Sequence, residues 1–308
     1  MPREHFTFCP PNEFCVEFGR LSYGAEPPRE AGKAKGLHFT VSGVVRADGG
    51  FLVYGIGRGS ERTPQVWSAR TQDGFVYEEP RLLFEVPSSV PPAHWTAGDV
   101  ALNGKGELML LNCQMGNPPR KGHPFHAWSG GLDGRGWRKL NGDDCIYRGQ
   151  DALRVVWHED PGRYVNYQTS YQPFDKRHAD NMPGVRRVLH IRTSPDGLHW
   201  TPGDSFGVDG PYLSDDQFIT PDEHDYPDTE FYHFSPIRLG EFWAGTMVKY
   251  VSQPSGLPHG EGMPHGPYLD YEWWTSRDGM AWERPFRERS ALGDMPRPLV
   301  YRLAQPID

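Results

Sequence analysis

Short apolar runs separated by turn residues cover most of the chain, and this alternation is typical of β-hairpins rather than helices. The clearest repeat is an Asp-Gly turn with an aromatic residue four positions after the Asp. It occurs as DGFVY (73–77), DGRGW (133–137), DGLHW (196–200) and DGMAW (278–282). Asp-Gly provides the positive φ angles of a tight turn. Each copy therefore predicts a hairpin whose aromatic side chain packs back onto the sheet, and gives the Asp a structural role.

A second pair of apolar runs, placed around a polar or Gly turn, precedes each of these motifs. The four cases are VSGVVRADGGFLVYGI, DVALNGKGELMLLN, ALRVVWHEDPGRYVNYQ and FYHFSPIRLGEFWAGTMV. Each unit thus has four predicted strands, and such units must stack on one another to bury both faces. We expect one all-β domain over residues 1–308, with repeat units at about 41–83, 95–141, 149–203 and 228–287.

Both ends of the chain lie outside these four units, yet they are able to form strands. The runs concerned are FTFCPP, EFCVEFGRL and PLVYRLAQPI. Together they would build a fifth blade, which closes the ring and removes sheet edges. We therefore predict a five-bladed β-propeller of four-stranded antiparallel blades, the last one closed by both termini. The alternatives are a four-bladed propeller and a sandwich with similar hairpins. Residues 252–268, rich in Pro, Gly and His, are predicted to be an insertion.

Composition narrows the range of partners. The 36 Gly and 30 Pro support the all-β prediction, because both residues disfavour helix interiors. A formal net charge of −8 gives no general attraction to nucleic acid or anionic membranes, so neither is expected as a partner. No apolar run approaches the roughly 20 residues that cross a bilayer, and the opening MPREHFTFCPP lacks a secretory-type apolar stretch. We expect a cytoplasmic protein whose four cysteines are free thiols.

Acidic residues stand next to the predicted first strand of three successive units. They are Asp99 in WTAGDVAL, Asp151 in YRGQDALRVVW, and both Asp228 and Glu230 in YPDTEFYHF, whereas the first unit offers only Ser42 in TVSGVV. The first strand of each propeller blade lines the central channel, so these acids would converge on one pocket. Asp228 and Glu230 compete for one role, because residues i and i+2 of a strand face the same side.

The blade pattern and the order Asp, Asp, Glu resemble the five-bladed glycoside hydrolases of families 43 and 32, the β-fructosidase and arabinosidase group. The resemblance also rests on the segment DTEFYHFSPIRLGEFWAG, while AGDVALNGKG stands where invertases have NDPNG and GQDALR where they have RDP. It implies a glycosidase acting on a small oligosaccharide or a chain end. Asp99 would be the base or nucleophile, Glu230 the general acid with Asp228 in reserve, and Asp151 the fixed carboxylate that tunes the acid.

The resemblance also implies a substrate site around these acids. Aromatic or cationic neighbours would form the sugar platform and orient the carboxylates: His94, Trp95, Arg154 and Tyr232. In another interpretation, Asp151 is only a structural partner of Arg154. No organic cofactor is expected. A glycoside phosphorylase and a carbohydrate-binding propeller without turnover stay open as alternatives.

Other polar segments have simpler explanations. The acidic residues at 215–216 and 222–225 carry oxygen ligands suited to a structural calcium ion, although a solvated loop is the simpler interpretation. His123 and His126 are expected in a Gly/Pro-flanked loop, so no metal site is predicted there. The N-terminal arm ending in EPPREAGKAKG is long enough to reach a neighbouring subunit, which leaves a homo-oligomer open.

Overall fold

All regular elements in the described part of the chain are β-strands. The computed structural model describes residues 6–8, 16–18, 39–58, 63–72, 76–87, 95–115, 122–142, 144–175, 184–203, 218–225, 229–251, 268–285 and 287. Within these ranges no helix is long and apolar enough to span a membrane. The all-β prediction is therefore confirmed.

Eighteen strands are formed by the described residues. The first nine are β1 (Phe6–Phe8), β2 (Val16–Phe18), β3 (Phe39–Ala47), β4 (Gly50–Arg58), β5 (Pro64–Thr71), β6 (Glu78–Glu85), β7 (Trp95–Leu102), β8 (Glu107–Met115) and β9 (His123–Gly131). The others are β10 (Arg138–Lys139), β11 (Tyr147–Gly149), β12 (Leu153–His158), β13 (Arg163–Pro173), β14 (Val185–Ser194), β15 (Phe218–Ile219), β16 (Thr229–Leu239), β17 (Phe242–Val251) and β18 (Tyr268–Ser276).

The strands form sheets that follow chain order, as expected for consecutive hairpins. The sheet orders are β3-β4-β5-β6, β7-β8-β9-β10 with β11 also on β9, β12-β13-β14-β15, and β16-β17-β18, and β1 pairs with β2. The strands of these hairpins pair antiparallel, for example with Leu239 opposite Phe242 beside the turn between β16 and β17. Four-stranded antiparallel sheets are thus the building unit, as predicted for propeller blades.

The predicted fifth blade is only partly covered by the description. The N-terminal runs contribute β1 and β2, which pair antiparallel with Phe6 opposite Phe18. The run PLVYRLAQPI and the predicted insertion at 252–268 lie outside the described residues. Four sheets of three or more strands are found in the described ranges, and the fifth stays a prediction.

The Asp-Gly turns at Asp196 and Asp278 have the structural role that the repeat predicted, whereas Asp73 lies outside the described residues. Asp196 Oδ1 accepts hydrogen bonds from Ser194 Oγ at 3.1 Å, from the Leu198 amide at 2.8 Å and from the His199 amide at 2.9 Å. The indole N–H of Trp200 donates to the Gly197 carbonyl at 2.9 Å, and the same set of contacts recurs in the turn at 276–282. The carboxylate satisfies turn amides, so it is not available for chemistry.

Contacts divide the chain into two compact units, which are described separately. Unit 1 comprises Met1–Pro27, Tyr171–Leu189 and Ser214–Asp308, and unit 2 comprises Pro28–Ser170 and His190–Leu213. Strand β8 is central to the core of unit 2, where the side chains of residues 108–111 are at most 1% exposed. In unit 1 the fully buried ring of Trp274 lies 5.3 Å from that of Phe234. Both cores consist of side chains from strands that pack face to face.

Candidate active site

The structure places the predicted acids on the first strands of three successive sheets. Asp99 lies within β7, Asp151 lies two residues before β12, and Glu230 is the second residue of β16. Asp99 and Asp151 belong to unit 2 and Glu230 belongs to unit 1. Each acid is therefore described with the neighbours of its own unit.

Asp99 is a buried carboxylate whose acceptor positions are all occupied. It is 4% exposed. Its Oδ1 accepts from Ser42 Oγ at 2.5 Å and from Arg154 Nη1 at 3.1 Å. Its Oδ2 accepts from the Val155 amide at 2.8 Å and from the same Nη1 at 3.3 Å. Two oxygens with about four lone-pair sites thus receive four contacts, so the carboxylate is held in one orientation.

Four residues join the first strands β3, β7 and β12 through these contacts. We call them the Asp99 cluster: Ser42, Asp99, Arg154 and Val155. Arg154 contributes twice, because its Nη2 also donates to the Ser42 carbonyl. Its side chain is 20% exposed, compared with 6% for that of Asp99. Arg154 is thus the partner of Asp99. The interpretation of Asp151 as the structural partner of Arg154 is not supported by the contacts.

A β-bulge in β3 sets the position of Ser42. The pairing of β3 with β4 shifts register between Val41 and Gly43, which leaves Ser42 as the extra residue. Gly43 lies opposite Tyr54, and a Cβ at Gly43 would stand 2.1 Å from the Tyr54 hydroxyl. The ring of Tyr54 is held there, because its hydroxyl accepts a hydrogen bond from the Leu102 amide at 3.2 Å. Only glycine fits beside this ring without displacing it.

Asp151 differs from the other two acids in its surroundings. It is half-buried. In the described ranges no Lys, Arg or His nitrogen lies within ion-pair distance of its carboxylate. The charge of Asp151 acts on the buried His123. Burial lowers the pKa of that imidazole, and the Asp151 charge partly opposes the shift. Asp151 thus differs from Asp99 and Glu230, each of which pairs with an arginine.

Glu230 is fully buried and pairs with an arginine that the sequence analysis did not single out. Arg187 Nη1 on β14 donates to Glu230 Oε2, and the two side chains are 10% and 0% exposed. The Arg187 guanidinium lies 5.5 Å from the ring centroid of Tyr232 and 5.0 Å from that of Tyr250. We call these four residues the Glu230 cluster. Burial alone would lower the pKa of Arg187, but the Glu230 charge raises it above its ordinary value.

Tyr232 is the part of the Glu230 cluster that reaches solvent, with an exposure of 36%. A second bulge causes this, because the β16–β17 register shifts between Phe231 and His233 and leaves Tyr232 as the extra residue. Its ring lies 6.3 Å from that of Tyr250. Tyr232 thus presents part of an aromatic face to solvent beside the buried pair of Arg187 and Glu230.

The other predicted site residues are only partly described. His94 and the reserve acid Asp228 lie outside the described residues. Trp95 pairs through its backbone with Met115 at the start of β7, and its side chain is outside the description. Their predicted roles therefore stay predictions.

The acidic segment 222–225 is held by arginines rather than surrounded by solvent. Asp225 accepts from Arg284 at 2.6 and 2.7 Å, and Asp222 accepts from Arg287 at 2.5 Å. Arg284 also donates to the fully buried Glu272 at 2.7 Å. The solvated-loop interpretation is therefore wrong for these two aspartates. The calcium ion stays a prediction.

The His pair lies in a strand and not in the predicted loop. His123 and His126 belong to β9, where three-residue spacing puts side chains on opposite faces. Among the described residues, no group of three or more His, Cys, Asp or Glu side chains is placed to hold a metal ion. In the described part of the chain Cys113 and Cys145 are not joined in a disulfide, and Cys9 and Cys15 lie outside the described residues.

Two residues of the site were missed from the sequence, Arg187 and Tyr250. A signal was present for Arg187. The run VRRVLHIRTS places charged side chains inside a strand that is largely buried, and a buried arginine requires a partner. Tyr250 lies directly opposite Glu230 across the β16–β17 pair, because the bulge between Phe231 and His233 moves the register by one residue from the one that the turn sets.

Comparison with known proteins gives structural matches only. No protein-family model matches the chain, and the search of curated proteins finds no match. A putative glycoside hydrolase from Parabacteroides distasonis is 13% identical with a TM-score of 0.45, over 84% of this chain and 74% of that chain. A thermostable family-43 glycoside hydrolase is 11% identical with a TM-score of 0.47, over 79% of this chain and 70% of that chain. A mannose phosphorylase from Leishmania mexicana is 12% identical with a TM-score of 0.40, over 79% of this chain and 65% of that chain. All three matches are below 15% identity and below a TM-score of 0.5.

Proposed function

We propose that this protein is a glycosidase that hydrolyses a glycosidic bond of a small oligosaccharide or a chain end. The observation that carries the proposal is the difference among the three first-strand acids. Asp99 and Glu230 are buried and paired with arginine, whereas Asp151 is half-buried without a described cation beside it. Cleaving an acetal needs one protonated and one ionised carboxyl group, and the different surroundings of these acids favour a division of those two tasks among them.

The contacts favour a different division of roles from the one the sequence implied. Asp151 is the better proton donor, because it has no arginine beside it in the described ranges. In the proposed step Asp151 gives its proton to the leaving oxygen as the C–O bond breaks. An ionised carboxylate accepts the proton of water while the water oxygen bonds to the anomeric carbon. Asp99, with its four contacts, acts as a fixed negative charge.

The proposal includes the substrate platform and the complete fold. Tyr232 offers its exposed ring to a sugar face, and Arg154 orients the Asp99 carboxylate. We also propose the five-bladed propeller, with both termini completing the fifth blade. Acid and base catalysis by carboxylates requires no organic cofactor.

The test is turnover of a panel of aryl glycosides and oligosaccharides by matched variants. We expect D151N and E230Q each to lower kcat by about 10²–10⁴-fold, the usual contribution of one acid–base group. The control is D133N, since Asp133 is an exposed turn residue whose carboxylate accepts the Arg135 amide at 3.0 Å. Circular dichroism and thermal melting verify folding. Near-normal turnover in both D151N and E230Q would refute the proposal, and dependence on added phosphate would indicate phosphorolysis.

One observation favours a second candidate, a carbohydrate-binding protein without turnover. All acceptor positions of Asp99 are taken, as in a carboxylate with a purely structural task. Oligosaccharide binding by calorimetry that Y232A abolishes, together with no turnover of any bound sugar, would favour this candidate.

A further inference from the structure

Glu230 is a buried acid with a charged partner. Its side chain is fully buried, and Arg187 donates directly to Oε2. The strand register places Tyr250 opposite Glu230 on the same sheet face. A buried carboxylate next to a guanidinium is most stable when both groups are charged, because either charge alone would be costly to bury.

The tyrosines hold the guanidinium in place. Tyr232 and Tyr250 lie with ring centroids 5.5 and 5.0 Å from its central carbon, within the range of a cation–π interaction. Burial alone would lower the pKa of Arg187, and the Glu230 carboxylate beside it raises that pKa above its ordinary value. Arg187 is thus held between the Glu230 carboxylate and two tyrosine rings.

We infer that Arg187 is a positioning residue that keeps the Glu230 carboxylate ionised, so that Glu230 serves as a proton acceptor or fixed negative charge and not as the proton donor. This inference rests on the proposed glycosidase function for its consequence in catalysis. The charge state itself is a property of the folded protein and is measurable without substrate.

Infrared difference spectroscopy provides the direct test. The spectrum of wild type minus E230Q at neutral pH should contain the carboxylate bands of one glutamate and no carbonyl stretch of a protonated carboxyl group. R187M should show that carbonyl stretch at neutral pH, and the double variant R187M/E230Q should lose it again. R187K should behave as wild type. A protonated Glu230 signal in wild type at neutral pH overturns the inference, as does its absence from R187M.

The double variant also provides a control for the possibility that R187M does not fold. R187M alone leaves a buried carboxylate without its cation, whereas R187M/E230Q removes both charges and should fold. If R187M does not fold, the wild-type and E230Q spectra alone decide the charge state.

Kinetics then test the role in the proposed reaction. On any substrate that is hydrolysed, R187M should lower kcat on the order of 10²-fold, as for the loss of one acid–base group, with little change in KM, and R187K should recover most of it. The kcat/KM profile of R187M should lose the limb that reports the base. An unchanged profile in a folded R187M overturns the inference. Absence of turnover on every glycoside counts against the proposed function, while the infrared result still decides the charge of Glu230.

Discussion

The Arg154→Met variant tests whether the Asp99 cluster fastens three first strands together. Arg154 donates to both oxygens of Asp99 and to the carbonyl of Ser42. With Met in its place, the Asp99 carboxylate remains buried and keeps only the Ser42 hydroxyl and the Val155 amide as donors. The variant therefore leaves a buried charge without its cation.

The expected loss follows from burial and from the donors that remain. Removing one partner of a buried ion pair costs about 3–5 kcal/mol. The lower end of about 3 kcal/mol applies here, because two donors to Asp99 persist. The Arg154 side chain is 20% exposed, which also admits water to the vacated space. Part of the loss comes from the Ser42 carbonyl, which loses its donor.

Urea unfolding followed by tryptophan fluorescence measures this loss, provided that the m-value is unchanged. Arg138→Met is the control, because Arg138 is an exposed residue of β10; it should shift stability by no more than about 0.5 kcal/mol. In an Asp99→Asn background, Arg154→Met should lower the free energy of unfolding by clearly less, since no buried carboxylate is then left without its cation. An equal loss in both backgrounds, or a loss below about 1 kcal/mol in the wild-type background, would refute the reasoning.

Three other substitutions probe contacts away from the Asp99 cluster. Arg284→Met removes a 5% exposed guanidinium from the 5% exposed side chain of Asp225 and from Glu272, which keeps Lys249 at 3.1 Å; the free energy of unfolding in urea should fall by about 3 kcal/mol. Burial opposes ionisation of Asp196, but turn hydrogen bonds lower its pKa from 3.8 to about 2. Its stabilising effect is thus complete above about pH 4 and is lost as pH falls through about 2, so the Tm advantage of wild type over Asp196→Asn should shrink over that interval. Gly43→Ala places a Cβ 2.1 Å from the Tyr54 hydroxyl, and overpacking should cost about 1–3 kcal/mol in the same urea assay.

Matched controls and contrary results exist for each. Arg277→Met changes an exposed arginine near the same turn, and Gly203→Ala adds a Cβ with nothing within 4 Å. Both should leave the free energy of unfolding nearly unchanged. If Arg284→Met or Gly43→Ala lowers the free energy of unfolding no more than its control does, the structural account is contradicted. For Asp196, a Tm difference that stays constant from neutral to acid pH would contradict the assigned hydrogen bonds.

The hairpins and Asp-Gly turns were predictable because their interactions are local in sequence. The contacts of Asp196 all fall within residues 194–200, so a seven-residue window contains the whole motif. The part that was missed was also visible. A serine stands two residues before the Asp in SPDGLHW and SRDGMAW, and Ser194 and Ser276 each bind the turn amides.

The pairing of acids with arginines could not be predicted in the same way. Asp99 lies 57 residues from Ser42 and 55 from Arg154, and Glu230 lies 43 residues from Arg187. Sequence proximity suggested Asp151 as the partner of Arg154, yet the stacking of first strands brings Asp99 to it. Which arginine meets which acid depends on how neighbouring sheets align, and the strand pattern alone does not contain that alignment.

Both acid clusters depend on a bulge at the first strand of a sheet, and this explains where pattern analysis fails. In a regular strand side chains alternate, so a polar residue is assigned to one face by counting in twos. A bulge inserts one residue and changes that assignment locally, which turns Ser42 toward Asp99 and Tyr232 toward Arg187. Gly43, next to the first bulge, has no room for a side chain, so its small size marks the position in the sequence. Polar or aromatic residues where alternation breaks in a first strand are therefore the positions at which the chemistry of this fold should be sought.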